Sequence, residues 1–201
     1  MRQETGLNMA EPRPLEKDLF SPDRTIVLVG LMGAGKSSVG KRLANALHLP
    51  FSDSDVEVEE AAGLSISDIY DIYGADEFHR GENRVIARLL QGPIHVIATG
   101  GSAFLNPENR KIIREKAISV WLRADLDLLV ARTTRQHHRP TLRNCDRRQV
   151  LETIMRERAD VFAEADIVVD CGERPLHQTV EDVIGALREF GTRKQPGRTS
   201  R

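Results

Sequence analysis

The residues Gly30-Leu31-Met32-Gly33-Ala34-Gly35-Lys36-Ser37 fill every position of the pattern G-x-x-x-x-G-K-[ST], with an apolar run from Thr25 to Val29 directly before them and an amphipathic stretch directly after. Such a loop works only between the end of a buried strand and the start of a helix. Its glycines let consecutive backbone N–H groups turn inward around an anion, and the helix N-terminus adds a partial positive charge. Lys36, expected on a solvent-facing loop, can then reach the β- and γ-phosphates of a nucleotide, and Ser37 can coordinate Mg2+. A glycine-rich turn with no ligand is the bland alternative; the agreement of Gly30, Gly35, Lys36 and Ser37 with the flanking strand weighs against it.

The rest of the chain repeats the same alternation. Short β-branched runs at 25–29, 51–53, 94–98, 117–122 and 167–170 read as strands. Amphipathic stretches at 36–47, 56–62, 67–72, 76–90, 107–115, 126–135, 147–162 and 176–190 read as helices. This is the pattern of an α/β fold with three αβα layers and a five-stranded parallel sheet. The first, third and fourth runs are almost continuously apolar, as strands covered on both faces must be. Asp125 and Asn106-Pro107 carry helix-start signals, and Ser65 with Asp68 resembles a capping box. Residues 1–24, with Pro12, Pro14 and Pro22 among charges, and residues 191–201 read as mobile extensions of one domain at 25–190.

Composition removes several classes of function. Lysine and arginine number 29 against 30 acids, a net charge of -1, so no global basic field calls for nucleic acid or an anionic membrane. No apolar run approaches the roughly 20 residues that span a bilayer. The first 24 residues lack the apolar core of a secretory signal, and Cys145 and Cys171 are too few for a disulfide framework. The expectation is a cytoplasmic protein acting on small molecules, and a monomer, because no surplus apolar helix face is evident.

A phosphate loop leaves the acceptor open. No Asn-Lys-x-Asp reads a guanine base, and Asp71-Ile72-Tyr73-Gly74, though it matches D-x-x-G, follows no buried strand and reads as a helix end with Gly74 just past it. The third strand ends in Ala98-Thr99-Gly100-Gly101-Ser102, where Gly100 and Gly101 permit close approach of a small ligand at the carboxyl edge of the sheet. Asp53-Ser54-Asp55 closes the second strand, and alternation sets both carboxylates on one side. One suits metal-bound water and the other an acceptor hydroxyl; helix capping by Asp55 is the plain alternative. Residues 132–148 hold six arginines and one acid but no aromatic, which suits a mobile lid carrying Arg139 over ATP phosphates better than a nucleic-acid platform.

The order GLMGAGKSSVGKRLA, FSDSD, EFHRGE, ATGGS, a lid with Arg139-Pro140, and RERADVFAEAD resembles the shikimate kinase family over about residues 25–190. The resemblance implies the P-loop kinase fold and transfer of the ATP γ-phosphoryl group to the 3-hydroxyl of shikimate, with Mg2+, in the route to chorismate. It implies catalytic roles for Lys36, Asp55 and Arg139, and a nucleotide site of Gly33, Ala34, Gly35, Lys36, Ser37 and Ser38, with Arg132, Arg174 and Pro175 around the adenine. It gives Ser37 and Asp53 to the metal, and Asp55, Gly100, Gly101, Arg158 and the position of His79 to the acceptor. The family carries a second carboxylate-binding arginine where this chain has His79, held by a glutamate at the position of Glu82. Ser102, Thr141 and Phe162 are further departures, the last replacing an aromatic hydroxyl. Two alternatives therefore stand beside shikimate kinase: a kinase of this fold for another small polyhydroxylated acceptor, and a nucleotide-binding protein without turnover.

Overall fold

The computed structural model describes residues 21–134 and 146–193. In chain order these form β1 (Thr25–Val29), α1 (Lys36–Leu47), β2 (Phe51–Asp53), α2 (Ser54–Ala62), α3 (Ile66–Leu89), β3 (Val96–Ala98), a 3-10 turn (Ala103–Leu105), α4 (Pro107–Lys116), β4 (Ala117–Ala124), α5 (Leu126–Thr134), α6 (Arg147–Phe162), β5 (Ile167–Cys171) and α7 (Leu176–Arg193). All strand pairings are parallel, in the order β2-β3-β1-β4-β5. The chain leaves β1 toward one edge and β3 toward the other, so the loops after these adjacent strands part and open a crevice between them.

Burial follows the apolar pattern. Every residue of β1 and β3 is buried, whereas β5 alternates buried and exposed at the sheet edge. Removing the aliphatic side chains of these strands from water is the main favourable contribution to the fold. The helix starts are held as their sequences indicate: Leu128 N donates to Asp125 Oδ1 at 2.8 Å, and Glu108 N to Asn106 Oδ1 at 2.8 Å. At Ser65, Asp68 N donates to the hydroxyl at 3.1 Å while the hydroxyl donates to Asp68 Oδ2 at 2.6 Å.

Differences from expectation cluster around the crevice. Helix α2 starts at Ser54, two residues earlier than its sequence suggested, because Asp53 is the N-cap and accepts from Asp55 N at 3.1 Å. Asp55 is therefore not the cap, and it lies on the first helical turn rather than continuing the strand alternation of Asp53. The stretches read as helices at 67–72 and 76–90 form one element, α3, broken at Gly74, whose φ of 80° and ψ of 173° lie outside helical space. Gly74 thus has the helix-interrupting role read for it, but the chain resumes helix at once.

Candidate active site

The phosphate loop connects β1 to α1 with Gly35 as N-cap, its carbonyl accepting from Val39 N at 2.9 Å. Lys36 departs from expectation. It is buried, not solvent-facing, and its Nζ donates to the carbonyls of Gly30 at 2.8 Å and Leu31 at 2.9 Å, so the ammonium is held against the loop. Ser37 and Ser38 sit exposed on the first turn of α1. Ser37 Oγ donates to Asp53 Oδ2 at 2.6 Å, which joins the two expected metal residues at the mouth of the crevice. On the far side of the loop Arg132 reaches from α5 and donates to the carbonyls of Gly33 and Ala34, each at 3.3 Å. Arg174 donates to Asp170 O at 3.0 Å and pairs with Asp182 at 3.1 Å, while Pro175 precedes α7 and accepts from Gln178 N at 3.0 Å. Burial pushes the Cys171 thiol at the end of β5 up to about 11, against the opposing charges of Arg132 and Arg174. Arg139 and Thr141 lie outside the described residues.

The acceptor side is built on Gly100. A Cβ there would stand 2.6 Å from Asp55 Oδ1 and 2.6 Å from Glu82 Oε1, so only a glycine lets the carboxylates of α2 and α3 close over the end of β3. Gly100 N donates to the buried Ser54 hydroxyl at 3.0 Å, fixing that backbone to α2. Gly101 backs onto the phosphate loop, a Cβ there meeting Met32 N at 3.4 Å. Ser102 starts the 3-10 turn with φ of -108°, a conformation any residue adopts, so its side chain causes no backbone strain.

Glu82 is the electrostatic centre of this wall. It is 1% exposed; burial, and then the charge of Asp55, push its pKa up to about 8 against the opposing pull of Lys36. It is thus largely protonated at neutral pH, leaving the negative charge of the pair to Asp55. Its Oε2 lies 3.5 Å from His79 Nδ1, and its buried Oε1 has no hydrogen-bond partner among the described residues. Opposite, α6 supplies Arg158, whose half-buried guanidinium has its pKa lowered by burial. Tyr70 joins this wall although its sequence context gave no sign of it. Burial and then the charges of Glu82 and Asp55 raise the phenol pKa, while Arg158 lowers it, so the hydroxyl lies within electrostatic reach of all three. Ser54 was likewise unmarked, one polar residue among many between two acids. Phe162 is 2% exposed and stacks between Phe104 and Trp121, with ring centroids 6.2 and 5.8 Å away, so that departure belongs to the core.

The described residues therefore bring together Asp55, Glu82 and Gly100 at the end of β3, beside the phosphate loop that holds Lys36, with Arg158 within electrostatic reach of Tyr70. The shikimate kinase family model matches residues 32–188. A shikimate kinase of Caulobacter vibrioides is 54% identical over 166 residues, spanning 83% of this chain and 83% of that protein. One from Paramagnetospirillum magneticum is 52% identical over 164 residues, spanning 82% of this chain and 84% of that one. Among solved structures, a shikimate kinase from Acinetobacter baumannii in complex with shikimate superimposes with a TM-score of 0.80 at 29% identity, covering 87% of this chain and 96% of that one.

Proposed function

The chain belongs to the shikimate kinase family, and on that premise we propose that it transfers the γ-phosphoryl group of ATP to the 3-hydroxyl of shikimate, a step toward chorismate. The observation that carries this reading is the approach of Asp55 to Gly100, one residue from the strip of backbone that packs on the phosphate loop. An acceptor hydroxyl lying over Gly100 has a carboxylate beside it to take its proton, with Lys36 next to the transferring phosphoryl group. Because the Glu82 pKa is pushed up to about 8, the negative charge of the pair rests on Asp55, which is assigned as the base. Arg158 is assigned to the acceptor carboxylate, since a guanidinium offers two parallel N–H donors to such a group. Arg132 and Arg174 flank the nucleotide, and Arg139 is assigned to the phosphates from the sequence alone.

Ser37 and Asp53 are hard oxygen donors joined by a 2.6 Å hydrogen bond, and they suit Mg2+ with Ser37 as a direct ligand and Asp53 holding the metal's water shell. When bound with ATP, that ion neutralises charge on the β- and γ-phosphoryl oxygens. The reading is completed by a cytoplasmic monomer; among the described residues no helix is long and apolar enough to cross a membrane, and sedimentation equilibrium checks the monomer.

His79 and Ser102 at the acceptor wall favour a second reading, a kinase of this fold acting on another polyhydroxylated acid or cyclitol. A coupled ADP-release assay decides between them by comparing shikimate, gluconate and cyclitols against an acceptor-free blank. Fast turnover with shikimate alone is expected. Preference for another acceptor overturns the shikimate assignment, and nucleotide binding without turnover on any acceptor overturns kinase activity.

A further inference from the structure

Helix α3 carries two aromatic residues whose meeting depends on its break at Gly74. Tyr70 precedes the break and Phe78 follows it, yet their rings pack with centroids 4.8 Å apart at 33°. The His79 ring meets Tyr70 edge-on at 6.4 Å and Phe78 at 5.3 Å. Stacking of this kind fixes the plane of the phenol and hence the direction of its oxygen. Among the described residues that oxygen makes no hydrogen bond; its ring sits against His79, which approaches the Glu82 carboxyl over Gly100, and the charges of Asp55, Glu82 and Arg158 act on it. A phenol held at the edge of the crevice, with the Arg158 guanidinium within electrostatic reach, can donate to an incoming anion.

The charge pattern says which part of an acceptor it meets. Asp55 repels a carboxylate from the floor of the crevice, and Arg158 attracts it to the α6 wall. One guanidinium satisfies two lone-pair directions of a carboxylate that has about four, so a buried carboxylate needs further donors. At position 79 the imidazole supplies at most a single N–H toward this space, its Nδ1 being turned to Glu82. We propose that the Tyr70 hydroxyl donates a hydrogen bond to the acceptor's carboxylate beside Arg158, so that this chain recognises the carboxylate with one guanidinium and one phenol. Tyr70 is thereby an acceptor-binding residue and a determinant of preference for acidic over neutral cyclitols. The inference rests on the acceptor reading above and names the residue that completes it.

The phenol remains a donor throughout the neutral range, because burial, and then the acidic groups of Glu82 and Asp55, disfavour a phenolate. Tyr70→Phe retains the ring and its packing on Phe78, so the folded state and the route of the chain are expected to persist. Wild type and Tyr70→Phe are titrated by calorimetry with shikimate and with its methyl ester, both in the presence of ADP, and turnover of shikimate is measured alongside. Tyr70→Phe is expected to weaken shikimate binding about tenfold, the loss of one hydrogen bond to a charged group. It should leave the ester affinity, the KM for ATP and the melting temperature unchanged. Equal shikimate affinity in the two proteins overturns the inference, as does equal weakening for shikimate and ester, which would direct the phenol to a hydroxyl of the ring. A wild-type protein that neither binds nor phosphorylates shikimate overturns the acceptor reading itself, a result distinct from a Tyr70→Phe variant that behaves as wild type.

Discussion

Asp55 and Glu82 come from different helices and close over one glycine, and burial followed by the charge of Asp55 pushes the Glu82 pKa up to about 8. In the family pattern that glutamate holds an arginine; His79 supplies only a 3.5 Å approach to one oxygen and leaves the other without a partner among the described residues. Asp55→Asn should lower kcat by about 100-fold or more while the KM for ATP stays nearly constant, because an amide cannot accept the hydroxyl proton. Steady-state kinetics checks this, and a kcat close to wild type reduces Asp55 to a structural residue. His79→Arg should give Glu82 a charged partner and the acceptor a second guanidinium, lowering the KM for shikimate by about tenfold. An unchanged KM would show that position 79 does not face the acceptor. Asp55 was legible because FSDSD closes a strand beside a phosphate loop. Tyr70 was not, since neither of the two helical stretches read on either side of Gly74 gives a reason for it to meet Phe78.

At the scale of elements, the break in α3 decides the shape of the acceptor wall. Gly74 lies in a region of φ and ψ that side chains with a Cβ rarely enter, although a Cβ there would touch nothing within 4 Å. Substitution is therefore opposed by backbone strain and not by crowding. Gly74→Ala should cost about 1–3 kcal/mol of stability, seen as a lower melting temperature. It should also raise the KM for shikimate more than that for ATP, because the residues before the break carry Tyr70 and those after it carry Phe78, His79 and Glu82. Equal effects on both substrates would mean that the two segments of α3 keep their relation without the glycine. The sequence marked Gly74 as a helix end through its D-x-x-G context. That the chain resumes helix immediately depends on packing of Val58, Ile69, Phe78 and Val85 into a small second core, which no local signal encodes.

For the whole molecule, the buried carboxyl couples the acceptor site to global stability. Glu82 has an ordinary pKa of 4.5 and a folded value of about 8, so between these limits the folded protein binds the proton and the unfolded chain does not. Stability therefore falls as pH rises from about 4.5 to about 8, and changes little on this account outside that window. Glu82→Gln should remove this slope, melting above wild type near pH 8 with the difference shrinking toward pH 5; parallel melting curves across the range would assign the slope to other groups. The sheet order then separates what was readable from what was not. The sequence by itself determined the strand-loop-helix of the phosphate site, the helix caps at Ser65, Asn106 and Asp125, and the covered strands β1 and β3, because each depends on neighbours a few residues apart or on apolar runs that must leave water. Only the tertiary structure decided that β3 lies between β2 and β1, that Lys36 is buried against its own loop, that Ser54 and Glu82 gather around Gly100, and that Tyr70 packs on Phe78. Those outcomes depend on contacts between distant segments and on charges sharing a buried volume, whose energies exist only once the chain has closed.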